Sequence, residues 1–242
     1  MKNVVITGSK GFVGRNLIEK LSQYNCFSVS EFDADNNLSE LEEKVICADI
    51  IVHLAGVNRP QNIEEFANVN AGLTEKIINI IKENNLHPKI ILSSSTQAAL
   101  DNPYGMSKRE AENLLISFKK ESDIKLSIFR FPGIFGKYCR PNYNSVVATF
   151  CYNISHNLPI QISNPENEIT LVYIDDVLDG IINSMKNDSD EVFEKITPEF
   201  ITALGELSKY LYSFNENGYT KSANDFLNKL YATYLYYISS QY

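Results

Sequence analysis

Cysteine and histidine are scarce in this chain, four and three among 242 residues, and neither type is grouped. Cys26, Cys47, Cys139 and Cys151 lack C-x-x-C spacing and the histidines lie far apart, which excludes a zinc site and a disulfide framework. No metal ligand is expected. Long apolar runs are missing as well: none approaches the roughly 20 residues that span a bilayer. The opening "MKNVVITG" reads as a strand rather than as a charged stretch before a signal core, so the expected compartment is the cytoplasm. Clustered basic residues are also absent, and 22 Lys and Arg against 30 Asp and Glu leave a formal net charge of −8. Nucleic acids and anionic membranes call for the opposite field, which leaves a small molecule as the expected partner. The chain shows no repeat and no low-complexity segment.

What is present is enough apolar residue, 44%, for a sizeable core. Short β-rich runs alternate with amphipathic patterns: "NVVIT" then Phe12 to Leu21, "CFSVS" then Leu38 to Val45, "DIIVHLA" then Val69 to Ile81, "KIILSS" then Tyr104 to Phe118, and "KLSIFRF". That order predicts an α/β fold, a Rossmann-like doubly wound parallel sheet with helices on both faces. Only one helix fits between "CFSVS" and "DIIVHLA", so one crossover of a six- or seven-stranded sheet is shortened or missing. After Pro132 the texture changes to longer polar connections, a helix near Val146 to Ile154 and a short helix opened by Asp175 or Asp176. We expect a dinucleotide-binding domain over 1–131 and a smaller substrate-binding subdomain over 132–242, with room for elements to interleave. The tyrosine-rich stretch Ser222 to Tyr242 has helical periodicity without a stop signal and reads as a chain cut at a linker.

"VVITGSKGFVGRNL" puts Gly8, Gly11 and Gly14 directly after a strand and at the mouth of a helix. A pyrophosphate needs a tight turn, a backbone approach without Cβ and the free N–H groups of a helix start. Gly8, Ser9, Lys10, Gly11, Phe12, Val13 and Gly14 are therefore the cofactor-binding candidates. At the end of the second strand, Glu31 and Asp33 stand where a carboxylate holds adenosine ribose hydroxyls and repels a 2′-phosphate, which favours NAD; Lys10 and Arg15 argue for NADP.

"SSSTQAALDNPYGMSK" carries the chemistry. Tyr104 and Lys108, four apart on a helical pattern, share one face, and an ammonium beside a phenol lowers its pKa from about 10. Ser95, at the carboxyl end of a parallel strand, lies where open α/β sheets bind ligands and can hold a carbonyl or alcohol oxygen beside the tyrosine. His53 inside "DIIVHLAG" reads as a satisfied strand histidine, and Asp175 and Asp176 as a helix cap rather than metal ligands.

The glycine pattern, "HLAG", Asn70 within "NVNAGL", Ser95 and "YGMSK" together resemble the extended short-chain dehydrogenase/reductases of the nucleotide-sugar type, the NAD-dependent epimerase/dehydratase family. More narrowly, "VHLAGVNRP", "LSSSTQA", "DNPYGMSK" and "PNYNSVVATFCY" are similar to CapF (WbjC-like) enzymes of capsule and O-antigen synthesis, over nearly the whole chain. The resemblance implies a homodimeric enzyme in which NADP(H) reduces the C4 ketone of a UDP-2-acetamido-2,6-dideoxy-hexos-4-ulose, on the way to UDP-N-acetyl-L-fucosamine. It implies Tyr104 as proton donor, Ser95 orienting the oxygen, Lys108 on the nicotinamide ribose, and Leu54, Ala55 and Gly56 beside the cofactor. Arg59, Arg130, Arg140 and Asn144 become candidates for the UDP or sugar, since a diphosphate favours guanidinium. Arg130 has a second reading, pairing with a structural carboxylate, and Arg140 one as loop surface. The dimer would form through the Val69 to Ile81 and Tyr104 to Phe118 helices. Members of the narrower group also carry a C-terminal zinc cupin that epimerises C3; this sequence resembles the reductase part only, and no epimerase activity is expected of it. Two departures stand out. Gly133 replaces a usual asparagine, and the acidic Glu31 and Asp33 replace basic residues, which keeps NAD(H) open beside NADP(H).

A 4-epimerase or 4,6-dehydratase on the same scaffold is the nearest alternative. A dehydratase would place an acidic pair just after the strand-end hydroxyl, where this chain has Thr96 and Gln97. A non-catalytic NAD(P)-binding partner subunit is the alternative from another class, and it needs no tyrosine–lysine pair.

Overall fold

The structure, a computed structural model, describes residues 1–58, 62, 70–189 and 191–240. The chain forms two compact units, one of Met1–Phe131 with Leu178–Lys195, the other of Pro132–Val177 with Ile196–Tyr242.

In the first unit the strands are β1 (Lys2–Thr7), β2 (Phe27–Phe32), β3 (Ile50–His53), β4 (Lys89–Ser95), β5 (Lys125–Phe131) and, later in the chain, Phe193–Glu194. They make one six-stranded sheet in which every neighbouring pair is parallel; β2 lies at one edge, followed by β1, β3, β4, β5 and Phe193–Glu194. The helices between them are α1 (Phe12–Leu21), α2 (Leu38–Ile46), α3 (Gly72–Glu83) and α4 (Pro103–Glu121). Val4, Val5, Ile6, Ile50, Ile51 and Val52 are all buried, the continuous apolar run of a strand covered on both faces. Phe32 and Leu41, Val45 of α2, Ile77, Ile81 of α3 and Ala111, Leu115 of α4 join Ile51, Ile90 and Ile128 in one core cluster. The β1-to-β2 connection runs opposite to the others, so right-handed crossovers put α1 on the other face. Lys20 of α1 pairs there at 2.6 Å with Asp179.

The strand order reverses between β1 and β3, flanked on the β1 side by β2 alone. This is the shortened half that a single helix between "CFSVS" and "DIIVHLA" requires. The carboxyl ends of β1 and β3 therefore border the crevice in which open α/β sheets take ligands.

With Phe193–Glu194 of the first unit counted as β8, the second unit contains β6 (Gly133–Phe135), α5 (Val146–Ser155), β7 (Glu168–Tyr173), β9 (Phe200–Ala203), α7 (Leu204–Asn217) and α8 (Asp225–Ser239). β7 pairs parallel with β6 and antiparallel with β9. Phe135, Tyr173, Phe200 and Phe226 pack ring against ring, and Tyr234 and Tyr237 of α8 are fully buried. The Tyr237 hydroxyl donates to the Cys139 carbonyl. The tyrosine-rich end is thus core, capped by Asn224, whose side chain accepts from the Leu227 N–H at 3.0 Å.

One helix expectation needs correction. α6 runs Ile174–Lys186, 13 residues rather than a short helix, and begins at Ile174, so Asp175 and Asp176 sit in its first turn and neither is the cap. Asp176 instead accepts from Lys229 Nζ at 2.8 Å. Negative charge in a first turn suits the helix dipole equally well.

Candidate active site

β1 ends at Thr7 and the chain turns at Gly8, whose φ of +71° is a left-handed conformation. A side chain there would also collide with β3's exit, since a Cβ would stand 2.7 Å from the Ala55 nitrogen. Thr7 holds that exit in place: the Leu54 N–H donates to its carbonyl at 3.1 Å and the Ala55 N–H to its hydroxyl at 3.2 Å. Gly11 then begins α1 without a side-chain cap, and no acidic residue follows in the first turn. The Gly8 and Ser9 N–H groups already donate to the Phe32 carbonyl, Lys10 N–H to Asp33, and Gly11 N–H to Gly8. Of the seven loop candidates, Phe12, Val13 and Gly14 are therefore the ones whose backbone donors lie in the open first turn. An uncapped helix start with a Cβ-free approach fits a pyrophosphate.

Asp33 has both carboxylate oxygens on backbone donors, Lys10 N–H at 2.7 Å and Ala34 N–H at 2.8 Å. Lys10 Nζ pairs with Asp35 at 2.5 Å on the surface. The acid and the base that argue for opposite cofactors thus belong to one turn, and neither stands alone.

His53 is buried and held from two sides. Thr74 gives its hydroxyl proton to the Asn70 carbonyl at 2.8 Å, so the 3.0 Å contact between Thr74 and His53 Nε2 needs the imidazole N–H. His53 Nδ1 then accepts from Thr7 at 2.6 Å. Burial, with the nearby Lys108 charge, pushes the imidazole pKa down to about 3. The ring is a neutral strand histidine.

The Ser95, Tyr104 and Lys108 triplet comes together. Asn102 caps α4 by accepting from the Gly105 N–H at 2.8 Å, with Pro103 in the first turn. Gly105 lies against the 3-10 turn Thr96–Ala99, where a Cβ would come within 2.1 Å of the Gln97 carbonyl. That approach lets the Tyr104 phenol hydrogen-bond with Ser95. Lys108 is buried one helical turn on and donates to the Ser93 carbonyl at 3.0 Å. One expectation reverses here: Tyr104 lies above its ordinary pKa, because burial outweighs the Ser95 hydrogen bond. Lys108 itself is lowered to about 8 by burial, against the opposing carboxylate of Glu112.

Arg130 lies in β5 and is already engaged. Its Nε donates to Glu112 Oε1 at 2.9 Å, its terminal nitrogen pairs with Oε2 at 2.5 Å, and its guanidinium lies 4.7 Å from the Phe193 ring centroid. Its guanidinium thus has, in Glu112, the carboxylate that the second reading of Arg130 calls for. Arg140 and Asn144 are exposed on the second unit, with Arg140 over the Tyr143 ring at 5.3 Å. Arg59 lies outside the described residues.

The sequence reading passed over two groups as site residues. Asn70 takes the Val57 N–H at 2.8 Å and donates to Ser107 Oγ at 2.8 Å, while Ser107 donates to the Tyr104 carbonyl at 2.8 Å. Glu112 is buried and joins Ser94 to Arg130. Its position, four residues after Lys108 and eight after Tyr104, was the available signal.

Residues 4–196 match the NAD dependent epimerase/dehydratase family. The chain belongs to that family. It is 40% identical over 97% of its length to the UDP-2-acetamido-2,6-beta-L-arabino-hexul-4-ose reductase of Pseudomonas aeruginosa, and spans 64% of that protein. A crystal structure of the capsular polysaccharide assembling protein CapF from Staphylococcus aureus superposes with a TM-score of 0.88 at 41% identity, over 97% of this chain and 65% of that one. This family member therefore spans less than two thirds of either relative's length. The UDP-glucuronic acid 4-epimerase of Bacillus cereus, solved with NAD, shares the fold at 16% identity, with a TM-score of 0.84 over 97% of this chain and 98% of that one. Among the described residues no group of three or more His, Cys, Asp or Glu side chains is placed to hold a metal ion, and no helix is long and apolar enough to cross a membrane.

Proposed function

We propose that this chain reduces the C4 ketone of a UDP-2-acetamido-2,6-dideoxy-hexos-4-ulose with a reduced nicotinamide cofactor. The observation that carries the reading is the Tyr104 phenol hydrogen-bonded with Ser95, with buried Lys108 one turn away, in a chain 40% identical to a hexulose reductase. The open first turn of α1 would hold the pyrophosphate through Phe12, Val13 and Gly14, with Leu54, Ala55 and Gly56 beside it. When bound, the reduced nicotinamide supplies the hydride that the ketone carbon gains. Ser95 donates a hydrogen bond to the ketone oxygen and aims it at Tyr104. Tyr104, protonated through the neutral range, gives its phenol proton to that oxygen, and the ketone leaves as the alcohol. Lys108 lies on the same face and is assigned to the ribose of the cofactor. Arg140 and Asn144 carry the chemistry for the UDP or sugar and are assigned to substrate.

Asp33 favours NAD(H), and resemblance favours NADP(H). Incubating the purified protein with a C3-epimerised UDP-4-keto-6-deoxy-HexNAc and either reduced cofactor, while following nicotinamide absorbance, tests reaction and cofactor together. Consumption is expected with at least one of them; none with either, despite measurable cofactor binding, overturns the reading. We further infer a cytoplasmic homodimer paired through α3 and α4, whose outer faces carry Glu75, Lys76 and Asn79, and Glu110 and Asn113. Sedimentation as a monomer at micromolar concentration would count against it.

A further inference from the structure

The acidic residues that follow β2 do different work. β2 ends at Phe32, and Asp33 ties that end to the glycine loop by taking the Lys10 N–H at 2.7 Å and the Ala34 N–H at 2.8 Å. The Asn36 N–H closes the turn on the Asp33 carbonyl at 3.0 Å, Asn36 Oδ1 accepts from the Asp33 N–H at 2.9 Å, and Asn36 Nδ2 donates to Glu40 at 2.6 Å. Asn37 and Glu40 then cap the start of α2 reciprocally. Asp35 enters none of these bonds. Its carboxylate reaches instead to Lys10 Nζ at 2.5 Å, in an ion pair whose two side chains are each 64% exposed. The scaffold of the turn thus stands without the Asp35 carboxylate, and what that carboxylate adds is a charge placed on the ammonium of the glycine loop.

We propose that Asp35 sets the cofactor choice of this chain: it occupies the Lys10 ammonium that a 2′-phosphate would need, so that NADH is bound in preference to NADPH. This rests on the reading given above, in which the glycine loop takes a dinucleotide. With the pyrophosphate at the first turn of α1, the adenosine ribose falls at the end of β2. A phosphate monoester there carries nearly two negative charges at neutral pH and calls for a cation. Lys10, which belongs to the loop and is bonded through its backbone to the end of β2, is already taken. It titrates above its ordinary value, first through the Asp35 hydrogen bond, with Asp33 and Glu31 adding to the effect, and Asp35 titrates below its own through the same bond. Three carboxylates thus act on one ammonium, an excess of negative charge that repels a phosphate and leaves a pair of hydroxyls unopposed. Because the pair is exposed and weak, removing one partner is enough to release the other.

The test reads binding of NADH and of NADPH by nicotinamide fluorescence, without sugar substrate, at about pH 8, where the 2′-phosphate is fully ionised. Wild type should bind NADH the more tightly. Asp35→Asn should tighten NADPH about fivefold and leave NADH within about twofold. In a Lys10→Gln background the same change should lose most of that gain, since no ammonium is there to be released. A residue that merely shaped the turn would move both cofactors together, and one acting only through the general field would give the full gain with Lys10 gone. No gain, equal shifts for the two cofactors, a gain that survives Lys10→Gln in full, or a wild type that prefers NADPH would each overturn the proposal. A surviving gain would assign the cation to Arg15 of α1 instead, which Arg15→Gln then reads. Binding of neither cofactor would overturn the dinucleotide reading and this inference with it. The expected pattern in a protein that reduces no 4-ketosugar would sink the reductase reading and leave this inference standing.

Discussion

Tyr104 and Lys108 are opposite cases of the same cost, since burial disfavours whichever form of a group is charged. It holds the phenol protonated and pushes the ammonium down to about 8. Replacing Tyr104 by Phe removes the proposed proton donor and little else, so kcat should fall roughly a hundredfold to ten-thousandfold while the cofactor dissociation constant stays within about twofold. Steady-state kinetics beside a fluorescence titration checks both halves, and surviving turnover would sink the proton-donor assignment. Lys108 also makes a stability prediction. Its folded pKa lies below its unfolded value, so between about pH 8 and about pH 10.5 the unfolded chain binds a proton the folded one does not, and stability rises with pH across that window. Relative to Lys108→Met, the wild type should therefore gain about 3 kcal/mol from the bottom of the window to the top. Denaturant unfolding of both proteins at its two ends measures this, and a constant difference would contradict a depressed lysine.

At the scale of elements, the apposition of Ser95 and Tyr104 depends on how closely the first turn of α4 meets the turn Thr96–Ala99. A Cβ on Gly105 would fall 2.1 Å from one carbonyl oxygen and 2.8 Å from that of Leu100, both backbone atoms that cannot swing aside. Gly105→Ala should cost about 3 kcal/mol or more and lower kcat beyond what the stability loss explains, because the turn must move and Ser95 with it. Thermal unfolding and activity of the folded fraction distinguish the two effects. The sequence made the β1–glycine–α1 start, the alternation of the sheet and the tyrosine–lysine face readable, because each rests on local spacing. Three features were not readable for physical reasons. The direction of the Tyr104 shift depends on desolvation, which only tertiary packing creates. α6 follows β7 directly, with no polar cap to mark its start at Ile174, so the helix was expected within a turn later, at Asp175 or Asp176, and too short. Arg130 offered a guanidinium with no hint of which carboxylate would take it, because Glu112 reaches it only once α4 folds back over β4 and β5.

The whole molecule carries a formal charge of −8, and both proposed ligands, a dinucleotide and a UDP-sugar, are anions. Its long-range field therefore opposes their approach, whereas the contacts proposed to hold the cofactor are short-ranged: N–H groups at the α1 start and a backbone approach at Gly8. Salt acts differently on the two. With a screening length of about 10 Å at moderate ionic strength, added salt weakens the diffuse repulsion and leaves hydrogen bonds inside the crevice nearly unchanged. The association rate of the reduced cofactor should accordingly rise, roughly twofold to threefold from low to physiological salt, with the dissociation rate nearly constant. Stopped-flow fluorescence at a series of salt concentrations separates the two rates. A fall in the association rate would mean that a local basic surface, with Lys10 freed from Asp35 as its nearest candidate, outweighs the net charge and steers the anion in. That outcome would also bear on cofactor choice, because an ammonium released at the end of β2 would attract a 2′-phosphate.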